Sequence, residues 1–116
     1  MVETVAKIID GKVYAERLRA EVAAEVARLR ADRGLQPGLA VVLVGDDPAS
    51  QVYVRSKGEH SLAVGMHSVT HRLPEATTQD ELMRVVADLN ADPLIHGVLV
   101  QLPLPKHLDD KAVLAI

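Results

Sequence analysis

Leu39-Ala40-Val41-Val42-Leu43-Val44 runs directly into Gly45-Asp46-Asp47-Pro48-Ala49-Ser50-Gln51-Val52-Tyr53-Val54-Arg55-Ser56-Lys57. The apolar run is too short for a typical helix and is rich in β-branched valine, which predicts a buried strand. Gly45 ends it. Asp46, Asp47 and Ser50 are each candidate caps for a helix that starts here, and Pro48 suits a first turn. On such a helix Tyr53 and Lys57 stand at i and i+4 and share a face. A phenol and an amine then lie one or two turns beyond the end of a strand, where ligands bind in open α/β sheets. They form a workable proton-transfer pair if a drier setting favours the neutral amine. The same spacing also describes an ordinary solvated surface pair, so the rest of the chain has to decide between the two.

Working outward toward the N-terminus, Pro37-Gly38 is a loop and Gly34 a natural helix stop. From Lys12 to about Arg33, Val13, Leu18, Val22, Val26 and Leu29 recur near helical spacing among charged residues, which predicts a long amphipathic helix. Asp10-Gly11 is a turn, and Ala6-Lys7-Ile8-Ile9 a short strand candidate. Toward the C-terminus, Gly65 stops the helix that starts near Ser50, and Met66 to Leu73 reads as a further strand, ended by Pro74. Thr78-Gln79-Asp80-Glu81 is a capping-box signature for a helix running to about Asn90. Ile95-His96-Gly97-Val98-Leu99-Val100 is the last strand. Pro103 and Pro105 must leave the sheet, because proline cannot serve a central ladder. A last helix begins near Asp109. Strict alternation of strands and helices implies an α/β fold. The expected sheet is mainly parallel, with about four strands and helices on both faces, a three-layer αβα sandwich.

Composition narrows the function. The chain has 116 residues, 48% hydrophobic and 25% charged, which fits one soluble domain with one core. Phe and Trp are absent, and Tyr14 and Tyr53 are the only aromatics, so the core is built from aliphatic side chains. A net charge of −3 with no basic run argues against a nucleic-acid partner. No stretch approaches the roughly 18 apolar residues of a membrane span. Met1-Val2-Glu3-Thr4 lacks the regions of a signal peptide, and the absence of cysteine fits a cytoplasmic protein.

In a parallel sheet the strand that ends at Val100 delivers Gln101 to the same edge as the Tyr53–Lys57 helix. An amide there can hydrogen-bond an amine or a ligand, or it can simply satisfy backbone groups where the prolines break the ladder. His60, His67, His71, His96 and His107 are scattered, and the pair His67 and His71 lacks a third ligand, so no metal site is expected. No glycine-rich dinucleotide or nucleotide loop occurs. Asp46-Asp47 after a strand also suggests a receiver-like signalling domain, but the place of its phosphorylated aspartate holds Leu73-Pro74-Glu75.

The run Val44 to Lys57 resembles the first signature of the bifunctional methylenetetrahydrofolate dehydrogenase/cyclohydrolase family. Leu73-Pro74-Glu75, Leu89-Asn90-Ala91-Asp92 and Gly97-Val98-Leu99-Val100-Gln101-Leu102-Pro103-Leu104-Pro105 match its later blocks in order, and Ile9-Asp10-Gly11-Lys12 fits its opening. The resemblance covers essentially the whole chain. It implies that residues 1–116 are the folate-binding catalytic domain of an enzyme of one-carbon metabolism. Such an enzyme oxidises 5,10-methylenetetrahydrofolate with NADP and hydrolyses the 5,10-methenyl product to 10-formyltetrahydrofolate. By match, Lys57 is the catalytic lysine of the hydrolytic step, Tyr53 packs on and orients the folate, and Gln101 contacts the lysine and tunes it. The segments Tyr53-Val54-Arg55-Ser56-Lys57 and Val100-Gln101-Leu102 line the pterin pocket. A cationic methenyl ligand beside Lys57 would disfavour the ammonium form, as a like charge does.

The resemblance also implies parts not present here. The NADP-binding Rossmann domain and the Asp-Val-Asp-Gly block that pins the pterin are expected to follow Ile116, so no cofactor site is expected within these residues. Intact members are expected to be homodimers, and this chain alone a monomer without dehydrogenase activity. The competing expectation is a binding or assembly domain that keeps the fold without the activity.

Overall fold

β1 (Gly38–Val44) is the middle strand of a three-stranded parallel sheet, between β2 (His67–Leu73) and β3 (Gly97–Val100). This computed structural model describes residues 5–116, so the reading of Met1-Val2-Glu3-Thr4 lies outside the described residues. The chain runs α1 (Gly11–Arg33), β1, α2 (Pro48–Ala63), β2, α3 (Gln79–Ala91), β3 and α4 (Asp110–Leu114). Because the strands are parallel, Val44, Leu73 and Val100 all end at one edge of the sheet.

The central strand explains the continuous apolar run. Successive side chains point to opposite faces. Ala40, Val42 and Val44 join Leu82, Val86 and Leu89 of α3 and Val113 of α4 in one core cluster. Val41 and Leu43 pack on the opposite side, with Val54 of α2. A strand buried on both faces has no polar side to show, and the layers are helix, sheet, helix.

The caps select among the sequence candidates. Asp47, not Asp46 or Ser50, is the N-cap of α2, and its Oδ1 accepts from the Ser50 N–H at 2.9 Å. Pro48 follows it in the first turn. Gly45, at φ 91°, turns the chain from β1 toward that cap in a conformation that favours glycine. Asp109 caps α4 in the same way as Asp47 caps α2.

Thr78 and Glu81 form the expected capping box of α3: Thr78 Oγ1 accepts from the Glu81 N–H at 3.2 Å, and Glu81 Oε2 from the Thr78 N–H at 3.4 Å. Thr78→Ala should therefore cost about 1 kcal/mol. For a domain of this size that lowers Tm by roughly 5 °C, measurable by thermal circular dichroism.

Three expectations change. Ala6-Lys7-Ile8-Ile9 is not a strand: it forms no ladder, and Ile8 and Ile9 are 90% and 94% exposed. The sheet of the described residues accordingly has three strands rather than about four. The last strand begins at Gly97 instead of Ile95, because Ile95 already belongs to the core cluster while the chain is still outside the ladder. Helix α1 forms as expected and ends at Gly34 (φ 61°), but of its residues only Val26 is fully buried, close to Gly65. Among the described residues its N-terminal half finds no burying partner, and Leu18 and Val13 stay half exposed. This projection gives a radius of gyration of 18.2 Å, against about 13 Å for a compact chain of this length.

Candidate active site

Alternation along β3 decides where Gln101 points. Leu99 packs on the α2 side of the sheet and Val100 on the α3 side, so the next residue returns to the α2 side. The Gln101 N–H donates to the Val42 carbonyl at 2.9 Å, which extends the β1–β3 ladder one residue beyond the strand and fixes the backbone there.

Helix α2 brings the amine. Its buried stripe is Ser50, Val54 and Ser61. Lys57 stands beside that stripe, and its Nζ donates to Gln101 Oε1 at 2.6 Å. The Ser61 hydroxyl donates to the Lys57 carbonyl at 2.7 Å, which ties the same turn of the helix. The amide has one orientation, because Gln101 Nε2 donates to the Leu102 carbonyl at 3.1 Å and so leaves the oxygen facing Lys57. Gln101 is 9% exposed, and every described buried side-chain nitrogen and oxygen has a partner. An amide oxygen accepts from an ammonium and from an amine alike. The contact therefore persists when the lysine gives up a proton, and it adds no charge.

The remaining motif residues divide between site and core. Tyr53 is 58% exposed on the helix turn before Lys57. Ser56 lies next to it, and its hydroxyl is 3.4 Å from His60 Nδ1. Leu102 is 42% exposed and contributes its carbonyl. Val54 is 1% exposed and packs on Val41 and Leu43, and Val100 faces the α3 core, so both valines hold the scaffold. Arg55 lies on a different flank of α2, where it pairs with Glu59 at 3.0 Å and borders an open hollow with Gln51 and Arg72. The structure thus joins Lys57 to Gln101, leaves Tyr53 exposed one helical turn before Lys57, and places Val54, Val100 and Arg55 elsewhere.

Two clamps behind the site have no sequence signature. His107 Nε2 donates to the Thr77 carbonyl at 2.8 Å. Gln79 and Asp109 exchange two hydrogen bonds, at 2.8 and 3.3 Å. Together they hold the segment that leaves β3 against the start of α3. His107 had no partner legible in the sequence because the contact is to a backbone carbonyl thirty residues away. Among the described residues no group of three potential metal-ligating side chains occurs, and no helix is long and apolar enough to cross a membrane.

Residues 9–116 match the family model for the tetrahydrofolate dehydrogenase/cyclohydrolase catalytic domain. A relative from Phenylobacterium zucineum, named bifunctional protein FolD, is 86% identical over 110 residues, covering 95% of this chain and 37% of its own length. The solved Trypanosoma brucei methylenetetrahydrofolate dehydrogenase-cyclohydrolase, complexed with NADP and an inhibitor, superposes with a TM-score of 0.90 at 39% identity, over 95% of this chain and 37% of that one. The Campylobacter jejuni bifunctional enzyme gives 0.87 at 41% identity, over 90% and 37%. The chain thus spans little more than a third of the length of the proteins it matches.

Proposed function

The chain belongs to the tetrahydrofolate dehydrogenase/cyclohydrolase family, and on that premise we propose that it is the folate-binding catalytic domain of a bifunctional enzyme. The reaction pair is oxidation of 5,10-methylenetetrahydrofolate by NADP and hydrolysis of the resulting methenyl cation to 10-formyltetrahydrofolate. The observation that carries the reading is the 2.6 Å contact between Lys57 Nζ and Gln101 Oε1 at the carboxyl edge of the sheet, one helical turn from the exposed ring of Tyr53.

In this reading the pterin and its aromatic linker lie against Tyr53 and over the Lys57–Gln101 pair. Water attacks the methenyl carbon, and Lys57, as the free amine, takes the proton that the water loses. The tetrahedral adduct then opens by cleavage of one carbon–nitrogen bond: the Lys57 ammonium gives its proton to the departing nitrogen, and the adduct's hydroxyl loses its own proton to solvent as it becomes the formyl carbonyl, so that one proton is released per turnover. Gln101 holds the amine in line through both charge states. NADP, when bound, supplies the hydride acceptor, and nicotinamide positioning is assigned to protein outside residues 1–116. The chain alone should accordingly bind no measurable NADP and carry out no hydride transfer. Cytoplasmic location and a homodimeric full-length enzyme belong to the same proposal.

Gln101→Glu tests the tuning role with a defined sign. A carboxylate at Lys57 favours the ammonium, so the base form appears only at higher pH. The acidic limb of the pH–rate profile for hydrolysis should move upward by roughly one to three units, while the fold is retained. A profile that stays in place with an unchanged rate would show that Gln101 does not act on the base. For the reading as a whole, loss of methenyltetrahydrofolate absorbance is followed with the purified chain and with a full-length enzyme carrying the same residues. Acceleration over buffer that requires Tyr53, Lys57 and Gln101 is the expected result, and a rate indifferent to all three would refute it.

A further inference from the structure

At the opposite end of β3 from Gln101, His96 and Gly38 are joined twice. The His96 N–H donates to the Gly38 carbonyl at 2.8 Å, and the Gly38 N–H donates to His96 Nδ1 at 2.9 Å. A backbone N–H can only donate, so Nδ1 must be the unprotonated nitrogen of a neutral ring. We propose that His96 is a positioning residue: its neutral ring clasps the start of β1 and thereby fixes the register in which β3 delivers Gln101 to Lys57.

The length of β3 makes the clasp matter. The strand has only four residues, Gly97–Val100, paired with Leu39–Val42. Few ladder bonds hold it, and the two backbone bonds that bracket it are His96 N–H to Gly38 at one end and Gln101 N–H to Val42 at the other. A slip of one residue would turn Gln101 from the α2 side to the α3 side. The ring bond to Gly38 ties the chain immediately before the strand to the first residue of its neighbour, where a slip would start. Protonation of Nδ1 turns an acceptor into a donor facing another donor, so the clasp opens as the ring gains its proton.

Among the described residues, His67 and Asp92 are titratable groups in the segments that adjoin this end of the sheet. His67 is the register partner of Gly38 on β2, and Asp92 Oδ1 accepts from the Leu94 N–H at 2.9 Å. Among the described residues neither is hydrogen-bonded to the His96 ring, which leaves Gly38 as its partner. The clasp itself stands on geometry alone; that its delivery of Gln101 matters for catalysis rests on the proposed function.

Nitrogen-15 NMR of this chain between pH 8 and pH 5 separates the two. The Gly38 amide signal should move upfield with the titration of His96, and the side-chain amide signal of Gln101 should move with the same midpoint. His96→Asn supplies an oxygen at the Nδ1 position that does not protonate in this range. It should keep the Gly38 hydrogen bond and abolish both pH-dependent shifts. His96→Ala should place Gly38 at its acid-limit position at every pH and speed its amide exchange roughly three- to tenfold. A Gly38 signal indifferent to the His96 titration would overturn the clasp. A Gly38 signal that moves while Gln101 in the wild type matches Gln101 in His96→Asn would overturn the positioning role. None of these readings involves folate, so a chain that failed to bind folate would refute the proposed function and leave this result standing.

Discussion

Lys57→Met should lower methenyltetrahydrofolate hydrolysis by roughly 10² to 10⁴-fold, the range expected when a general base is removed, in a full-length enzyme carrying this domain. The side chain keeps its length and apolar stem, so Val54 and Ser61, which hold the helix against the sheet, are not disturbed. Gln101 Oε1 loses its donor, and with Gln101 only 9% exposed the unpaired oxygen should cost about 1–3 kcal/mol of stability. The fold and folate binding should be retained, and the loss of rate should appear in kcat. The decisive comparison is single-turnover hydrolysis beside folate affinity for the two proteins. An unchanged hydrolytic rate would remove Lys57 from the chemistry. An equal fall in affinity and rate would make it a binding residue.

The second large effect lies at the other end of the central strand. A Cβ added at Gly38 would overlap the backbone carbonyl of Leu94. That oxygen belongs to the turn before β3 and cannot rotate away, so either β1 or the turn must shift. Gly38→Ala should cost roughly 3 kcal/mol or more, a large part of the 5–15 kcal/mol typical of a domain. Gly58→Ala is its control. There a Cβ would meet Ser68 Oγ and Thr70 Oγ1 at 3.8 Å, an ordinary contact, and alanine is favoured over glycine inside a helix by up to about 1 kcal/mol. Urea unfolding should place the two variants on opposite sides of the wild type, or Gly58→Ala close to it. A Gly38→Ala protein of wild-type stability would mean that the approach of β1 to the Leu94 turn is not as close as described.

These two glycines show what a single sequence yields and what it withholds. Val41, Val42 and Leu43 announce a buried strand because a strand covered on both faces must be apolar throughout. Gly38 announces only a turn, since nothing local reveals the Leu94 carbonyl lying against it. Ile8 and Ile9 read as strand by their own preference, yet a strand exists only when a neighbour completes its hydrogen bonds, and among the described residues none does. The pattern of α1 is read correctly as helical, but among the described residues its one buried side chain is Val26, in the C-terminal half. Periodicity reports which face is apolar and not what covers it.

The site divides along the same line. Spacing puts Tyr53 and Lys57 on one helical face, and the parallel order of the strands brings Gln101 to the same edge. Both follow from the chain, because helix and strand periods are fixed. The orientation of the Gln101 amide is set by the Leu102 carbonyl, a backbone group with no sequence signature. The valines of the motif were legible as motif but not as scaffold: a run that serves a site also crosses the core, and alternation along β3 and around α2 assigns Val100 and Val54 inward.

The central claim is that folate lies on Tyr53, Lys57 and Gln101. Titrating tetrahydrofolate into the labelled chain, with the Tyr53 ring, the Lys57 side chain and the Gln101 amide followed by NMR, tests it most directly. The three groups should shift together along one saturable curve, while signals from the Arg55–Arg72 flank of α2 stay in place. Ligand concentrations that leave all three unmoved in the folded chain, or that move the Arg55–Arg72 flank alone, would contradict it.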